Sequence, residues 1–428
     1  MEKTKITFHT FGCRLNYSET VSLKHEFEKK GFEILSEGTH GDIVVINTCT
    51  VTENGDADTR RFVRKVCREN PDAKIALIGC QAQIQKSNLK SLPNVRWIIG
   101  NDEKMDLARI IGEHPGSREV YVSAPAIRRK SFKIRSAAID IERTRAHLKI
   151  QDGCDVFCSF CVIPYARGRA RSREYPDIIK EARSLIAAGH KEIVLTGINI
   201  GTYCYEGKDF CDVLKALSEL DLQRVRISSI EPTTVPEKLI GQMAVNTKIC
   251  RHLHIPLQSA SDKVLKVMRR QYTAGECADI FAAARKNMDR VCLGTDIIVG
   301  FPGESEMEFE KTYRYLDASP LSYFHIFSYS ERTMAKSASF PEQVDGQTIK
   351  KRSRLLRALG KKKREAFTRQ HEGSIAQVLF EAEKDGFWQG LTDNYIRVYV
   401  KSSAGLRNGI YPVRLVSRAN NGMTGVLL

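Results

Sequence analysis

Three thiols fall within eight residues in the string Cys154-Asp-Val-Phe-Cys158-Ser-Phe-Cys161, a C-x3-C-x2-C spacing. Structural zinc prefers four closed ligands, commonly paired as C-x2-C. The next cysteine, Cys204, lies far downstream, so no fourth thiol is at hand. Three thiolates suit a cubane iron-sulfur cluster with one iron left open, because a fourth cysteine would fill the last corner. The competing reading is a catalytic or packing cysteine cluster. The string follows an apolar run at 147–151 that reads as a strand. The fold must therefore present the carboxyl end of a strand to whatever the thiols hold.

Strands of the same kind recur at 192–199, 224–231, 252–258, 293–300 and 323–329, separated by helical stretches. Six βα units of this length predict a partial TIM-type (βα)6 barrel over 147–345, with its active site at the carboxyl ends of the strands. The spacing and the barrel together resemble the radical S-adenosylmethionine superfamily. The resemblance implies that Cys154, Cys158 and Cys161 are catalytic, holding the cluster whose open iron chelates S-adenosylmethionine. It also implies contacts to that cofactor from Gly197, Ser229, Glu231, Gln258 and Val299, all near strand ends.

Over residues 1–120, apolar runs at 5–11, 42–47, 74–79 and 95–99 alternate with helix-like stretches at 17–30, 56–69 and 81–90. Alternation of this kind predicts a doubly wound parallel sheet in an α/β domain. Cys13, Cys49 and Cys80 each stand just past a strand's carboxyl end, the edge where ligands bind in an open parallel sheet. Gaps this long match no zinc signature, and buried small hydrophobes remain an equal reading.

Lys and Arg number 67 against 51 Asp and Glu, a net +16 that suggests a polyanionic partner. Arg128, Arg129, Lys130, Lys133 and Arg135 mark 121–146 as a basic linker, and Arg167, Arg169, Arg171 and Arg173 follow the cysteine string. Residues 350–372 hold ten Lys or Arg against Glu365 and Glu372, a net +8. Ile349, Leu355, Leu356, Leu359, Ala366 and Phe367 recur there at helical spacing, so 346–372 reads as a connecting helix with one buried stripe and a face for phosphates. Short β-like runs at 375–380, 386–391, 396–400 and 409–416 predict a small β-barrel over 373–428, where Phe387, Trp388, Tyr395 and Tyr399 stack on bases or fill the core. Apolar runs fall far short of the roughly 20 residues that cross a bilayer. With no secretory h-region in MEKTKITFHT, the expected location is the cytoplasm, without a membrane partner.

Gly12-Cys13-Arg14-Leu15-Asn16, Asn47-Thr48-Cys49-Thr50-Val51-Thr52, Gly153-Cys154-Asp155, Pro164-Tyr165-Ala166-Arg167-Gly168-Arg169 and His254-Ile255-Pro256-Leu257-Gln258-Ser259 closely resemble the strings of the methylthiotransferases. That family joins a three-cysteine domain, a radical S-adenosylmethionine barrel and a C-terminal TRAM RNA-binding module. The resemblance implies a second 4Fe-4S cluster on Cys13, Cys49 and Cys80, two clusters in all. Residues 47–58 and 195–201 look most like the branch that adds a methylthio group to C2 of N6-threonylcarbamoyladenosine in tRNA. Its implied partners are a tRNA anticodon stem-loop, an electron donor such as flavodoxin or ferredoxin, and a sulfur source. Methylthiolation of isopentenyladenosine or of a ribosomal protein, and a redox-sensing RNA-binding regulator, are the alternatives. The other six cysteines, Cys67, Cys204, Cys211, Cys250, Cys277 and Cys292, are expected to pack.

Overall fold

The structure, a computed structural model, describes residues 3–39, 41–115, 119–134, 139–140, 143–419 and 421–428; Arg135 of the basic stretch lies outside them. The first sheet contains β1 (Lys5–Thr10), β2 (Glu33–Ile34), β3 (Ile43–Thr48), β4 (Lys74–Gly79), β5 (Val95–Ile99) and β6 (Tyr121–Ser123). Its order is β2-β1-β3-β4-β5-β6, with every neighbouring pair parallel. Both faces are covered, which is why the strands read as continuous apolar runs. Ile6, Phe8, Val45, Ile78 and Trp97 pack under the helices Arg14–Lys29 and Leu107–Glu113. Val44, Ile46, Ile75, Leu77 and Ile98 pack on the other face. The sheet takes residues 121–123 from the stretch expected as linker, and the expected helix 81–90 is two short ones, Cys80–Ile84 and Lys86–Lys90.

The central unit begins with β7 (Arg145–Lys149), inside the expected linker, and its β8 (Gln151–Asp152) pairs antiparallel with β9 (Arg171–Ser172). That short ladder closes the loop holding Cys154, Cys158 and Cys161. A second small hairpin joins β11 (Cys204–Tyr205) and β12 (Lys208–Asp209). The barrel strands are β7, β10 (Glu192–Thr196), β13 (Arg224–Ile227), β14 (His252–His254), β15 (Cys292–Val299) and β16 (Tyr323–Ser328). They form two parallel three-stranded sheets, β13-β10-β7 and β14-β15-β16, linked by the bridge between Val225 and Ile249. The result is an open arc of six parallel strands in chain order, the partial barrel that the periodicity predicts.

Helix Gly346–Arg369 leads to a closed five-stranded barrel of β17 (Ile375–Lys384), β18 (Phe387–Thr392), β19 (Arg397–Val400), β20 (Ile410–Ala419) and β21 (Gly422–Leu427). β21, absent from the sequence reading, closes it by pairing parallel to β19 and antiparallel to β20. Leu356, Leu359 and Phe367 are buried as expected for the helix, whereas Leu355 and Ala366 are exposed. Arg352 takes a buried place instead, donating to the Glu304 carboxylate at 2.8 Å.

Buried ion pairs join the three units. Glu19, on the helix Arg14–Lys29, accepts Arg167 Nη1 and Nη2 at 3.0 Å each, Lys149 Nζ at 2.7 Å, and Lys104 Nζ. Asp152 accepts the same Lys149 at 2.8 Å and Arg167 at 2.9 Å. Arg332, just past β16, reaches Asp56 and Thr50 of the first unit. The C-terminal barrel docks on the strand starts. Arg224 donates to Leu391 O and Gln377 O, Arg226 to Thr392 O and Asp393 O, and Arg251 to the Asp393 carboxylate. Removing one partner of a buried pair strands the others without compensation, at about 3–5 kcal/mol. Glu19→Gln should therefore lower the urea-unfolding free energy of the first unit by that amount, read by Trp97 fluorescence in a Trp388→Phe background. A loss under about 1 kcal/mol would show that the network does not hold the units together.

Candidate active site

One cavity of about 480 Å³ lies at the junction of the first unit and the barrel, and both cysteine triads line it. Cys13 and Cys49 follow β1 and β3. Between those strands the sheet order reverses direction, with β2 on one side and β4 to β6 on the other, and such switch points open a crevice at the sheet edge. Gly12, at φ +99, lets the two loops touch: a Cβ there would lie 2.6 Å from Cys49 Cβ and 2.8 Å from its Sγ. Asn16, fully buried, ties the loops together by donating to Phe11 O at 2.8 Å and Thr48 O at 3.1 Å. Its Oδ1 accepts from Arg167. Cys80, buried, begins the helix after β4, and Asn101 Nδ2 approaches its Sγ at 3.6 Å.

The second triad occupies the loop after β8. Arg270 Nη1 donates to Cys158 Sγ at 3.0 Å, Nη2 pairs with Glu231, and the Ile163 amide points at Cys161 Sγ at 3.5 Å. Gln151 Oε1 accepts the Ile198 and Asn199 amides at 2.9 Å each, fixing the Gly197 loop beside the cysteines.

Burial pushes the Cys49 thiol up to about 11, and Cys80 and Cys13 add to the rise. Burial lifts Cys154 to about 11 and Cys161 to about 12, each reinforced by Cys158. Cys49, Cys154 and Cys161 thus hold their protons until a metal displaces them. The donor sets, three thiols with a cationic or amide donor beside the sulfur, fit open-cornered iron-sulfur clusters.

Of the expected cofactor contacts, Gly197, Ser229, Glu231 and Gln258 line the cavity. Burial holds Glu231 above the usual carboxylate range despite Arg270 beside it. Val299 does not line it: its side chain is fully buried in the barrel core, and its carbonyl accepts the Tyr329 amide. The arginines after the cysteine string also depart from expectation. Arg167 and Arg173 are buried, the latter donating to Asp177 at 2.7 Å and to Glu181, and Arg171 pairs with Asp152 at 3.3 Å. Only Arg169 is exposed among them, its guanidinium 4.4 Å from the Phe157 ring centroid. Cys211, Cys250, Cys277 and Cys292 are buried, Cys67 is partly so, and Cys204 is exposed rather than packed.

Sequence reasoning missed Arg270, which approaches Cys158 across 112 residues with no local motif to mark it. It also missed the cavity floor. Tyr395, at the tip between β18 and β19, stacks on His252 at 4.3 Å and lines the cavity with Tyr323, His254, Asp296 and His325.

The Radical SAM superfamily model matches residues 148–316, and the model described as uncharacterized protein family UPF0004 matches 5–100. The threonylcarbamoyladenosine tRNA methylthiotransferase MtaB of Bacillus subtilis is 37% identical over 96% of this chain and 93% of its own length. The chain belongs to the radical S-adenosylmethionine methylthiotransferase family. The Aquifex aeolicus MtaB is 36% identical over 92% of this chain and 96% of its own. A tRNA-2-methylthio-N(6)-dimethylallyladenosine synthase of Bdellovibrio bacteriovorus is 33% identical over 87% and 83%. The fold is shared with the radical S-adenosylmethionine methyltransferase TsrM of Kitasatospora setae, at TM-score 0.57 and 15% identity over 76% of this chain and 72% of that one. As a member of this superfamily the methylthiotransferase uses a 4Fe-4S cluster and S-adenosylmethionine.

Among the described residues no helix is long and apolar enough to cross a membrane. A thiol at about 12 exposes a thiolate fraction that grows about tenfold per pH unit until that value is approached. In the metal-free methylthiotransferase, iodoacetamide labelling of Cys161, followed by peptide mass spectrometry, should be about 100-fold faster at pH 9 than at pH 7. A plateau by pH 9 would contradict the raised Cys161 thiol.

Proposed function

We propose that this methylthiotransferase adds a methylthio group to C2 of N6-threonylcarbamoyladenosine beside the anticodon of tRNA. In this reading Cys154, Cys158 and Cys161 hold the radical-generating cluster, and Cys13, Cys49 and Cys80 hold a second, sulfur-bearing one. The observation that carries the reading is that both triads open onto one cavity. The names of the relatives support the choice of substrate. When bound, the two clusters and S-adenosylmethionine supply a 5′-deoxyadenosyl radical and the sulfur, chemistry that acid-base side chains do not provide for an aromatic C–H bond.

The chain's own residues bind, orient and exclude water. Arg270 steadies Cys158 and Glu231 together, Gln151 braces the Gly197 loop, and Arg167 with Asn16 sets one triad against the other. A base stacked within the anticodon loop cannot reach thiols that line a cavity, so the target base is turned out of the loop. On helix Gly346–Arg369, Lys350, Lys351, Arg354, Arg357, Lys361, Lys362 and Arg369 are exposed and available to phosphates. The C-terminal barrel is the RNA-binding module, and an electron donor such as flavodoxin or ferredoxin and a sulfur source complete the system.

Mass spectrometry of tRNA nucleosides, with and without the gene, should show the methylthio form of threonylcarbamoyladenosine only with it; an unchanged level would falsify the substrate. A Cys154→Ala, Cys158→Ala, Cys161→Ala variant, reconstituted anaerobically, should keep about half the wild-type iron, since each cubane holds four irons. Full iron there would sink the two-cluster reading. Replacing Lys350, Arg354, Arg357 and Lys361 by Ala should flatten the slope of log Kd against log salt for the stem-loop by about 3, at 0.7 to 0.9 per phosphate contact. An unchanged slope would place the phosphates elsewhere.

A further inference from the structure

The charges around the cavity are nearly all spoken for. Glu231 pairs with Arg270, Asp296 Oδ1 lies 3.0 Å from His254 Nε2, and Arg167 is held by Glu19 and Asp152. Arg14 is the exception. It lines the cavity beside Cys13 and meets no carboxylate among the described residues. Its one bond there, from Nη2 to the Tyr395 hydroxyl at 3.2 Å, leaves most of the guanidinium fork free. His325 also faces the cavity without a hydrogen-bonding partner among the described residues, its ring 5.6 Å from that of His254.

The floor between them is rigid. Tyr323 OH bonds His254 Nδ1 at 3.0 Å and His252 Nε2 at 2.8 Å. Its ring lies so close over β15 that a Cβ on Gly294 would be 2.2 Å from Tyr323 Cζ. The ligand atoms of His254, Asp296 and His325 lie within 4.8 Å of one another, a spacing that a divalent cation accepts. Burial, then His254, lower the His325 pKa, and Asp296 opposes them; Arg14, lining the same cavity, adds a positive charge that opposes a cation there. A rigid floor rimmed by an exposed guanidinium fork and an exposed imidazole is complementary to a small anion bearing further polar atoms.

Resting on the threonylcarbamoyladenosine reading, we propose that Arg14 and His325 are the specificity site for the N6 substituent. The Arg14 fork takes the threonyl carboxylate, and the His325 imidazole takes the hydroxyl or carbamoyl end. An isopentenyl chain satisfies neither group. A bound isopentenyl chain covers both groups and leaves them with neither water nor partner, which is how a hydrogen-bonding site rejects such an analogue.

The test uses the reconstituted full-length enzyme and three anticodon stem-loops, carrying threonylcarbamoyladenosine, its threonyl primary amide, or isopentenyladenosine, with kcat/KM read from methylthiolated product. Wild type should prefer the acid over the amide by roughly 100-fold, the scale of charge-assisted hydrogen bonds. In Arg14→Met that ratio should fall to about 1, and because it is internal to one preparation it does not depend on cluster loading. His325→Leu should lower kcat/KM for acid and amide alike by roughly tenfold, leaving their ratio in place. An acid-to-amide ratio near 1 in wild type, or an undiminished ratio in Arg14→Met, overturns the site while the substrate stands. Turnover of the isopentenyl RNA with none of the threonyl RNA overturns substrate and site together.

Discussion

The Glu19 carboxylate sits where two folding units meet, and the geometry of the cavity follows from it. It is buried with three cations around it, two of them from the barrel, and the arginine it clamps at both nitrogens also reaches Asn16. Asn16 in turn holds the carbonyls of Phe11 and Thr48, the residues that lead into Cys13 and Cys49. A hydrophobic patch could join the units as firmly, but it is non-directional and permits sliding. Buried ions with fixed partners specify one registry, and here the registry is the distance between two sets of thiols.

A part of the chain's positive charge is spent inside. Arg167, Arg173, Arg224, Arg226, Arg332 and Arg352 are all buried, each against a carboxylate or a backbone carbonyl. Arginine suits this role because its planar fork meets several acceptors at once and stays charged when desolvated. A count of basic residues therefore overstates the surface open to phosphates. The string Arg167 to Arg173 illustrates it: in sequence it resembles a nucleic-acid patch, and in the fold it is mainly internal bracing.

The parts legible in the sequence were those governed by local pattern. Period and length placed all six barrel strands, and the recurrence of Cys13, Cys49 and Cys80 after strand ends marked one edge of the sheet before any packing was known. What stayed hidden depended on contacts between distant segments. Arg270 touches Cys158 only because the end of helix Asp262–Val267 packs on the cysteine loop, where Ser159 bonds the Val267 and Met268 carbonyls, and Tyr395 reaches the cavity only because another unit docks beneath it. Val299 differs for another reason. A position at a strand end is necessary for a ligand contact, yet the alternation along β15 turns that side chain into the core.

Tyr395 changes what kind of part the C-terminal barrel is. A module that merely tethered RNA would be interchangeable, and its loss would weaken affinity alone. Here one of its tyrosines is a wall of the reaction vessel, stacked on His252 and bonded to Arg14, while Arg224 and Arg226 donate to its carbonyls. Without it the barrel would have an open base through which bulk water reaches chemistry that requires its exclusion. The C-terminal barrel and the radical S-adenosylmethionine unit of this protein are therefore not separable cargo and engine; they share a seal.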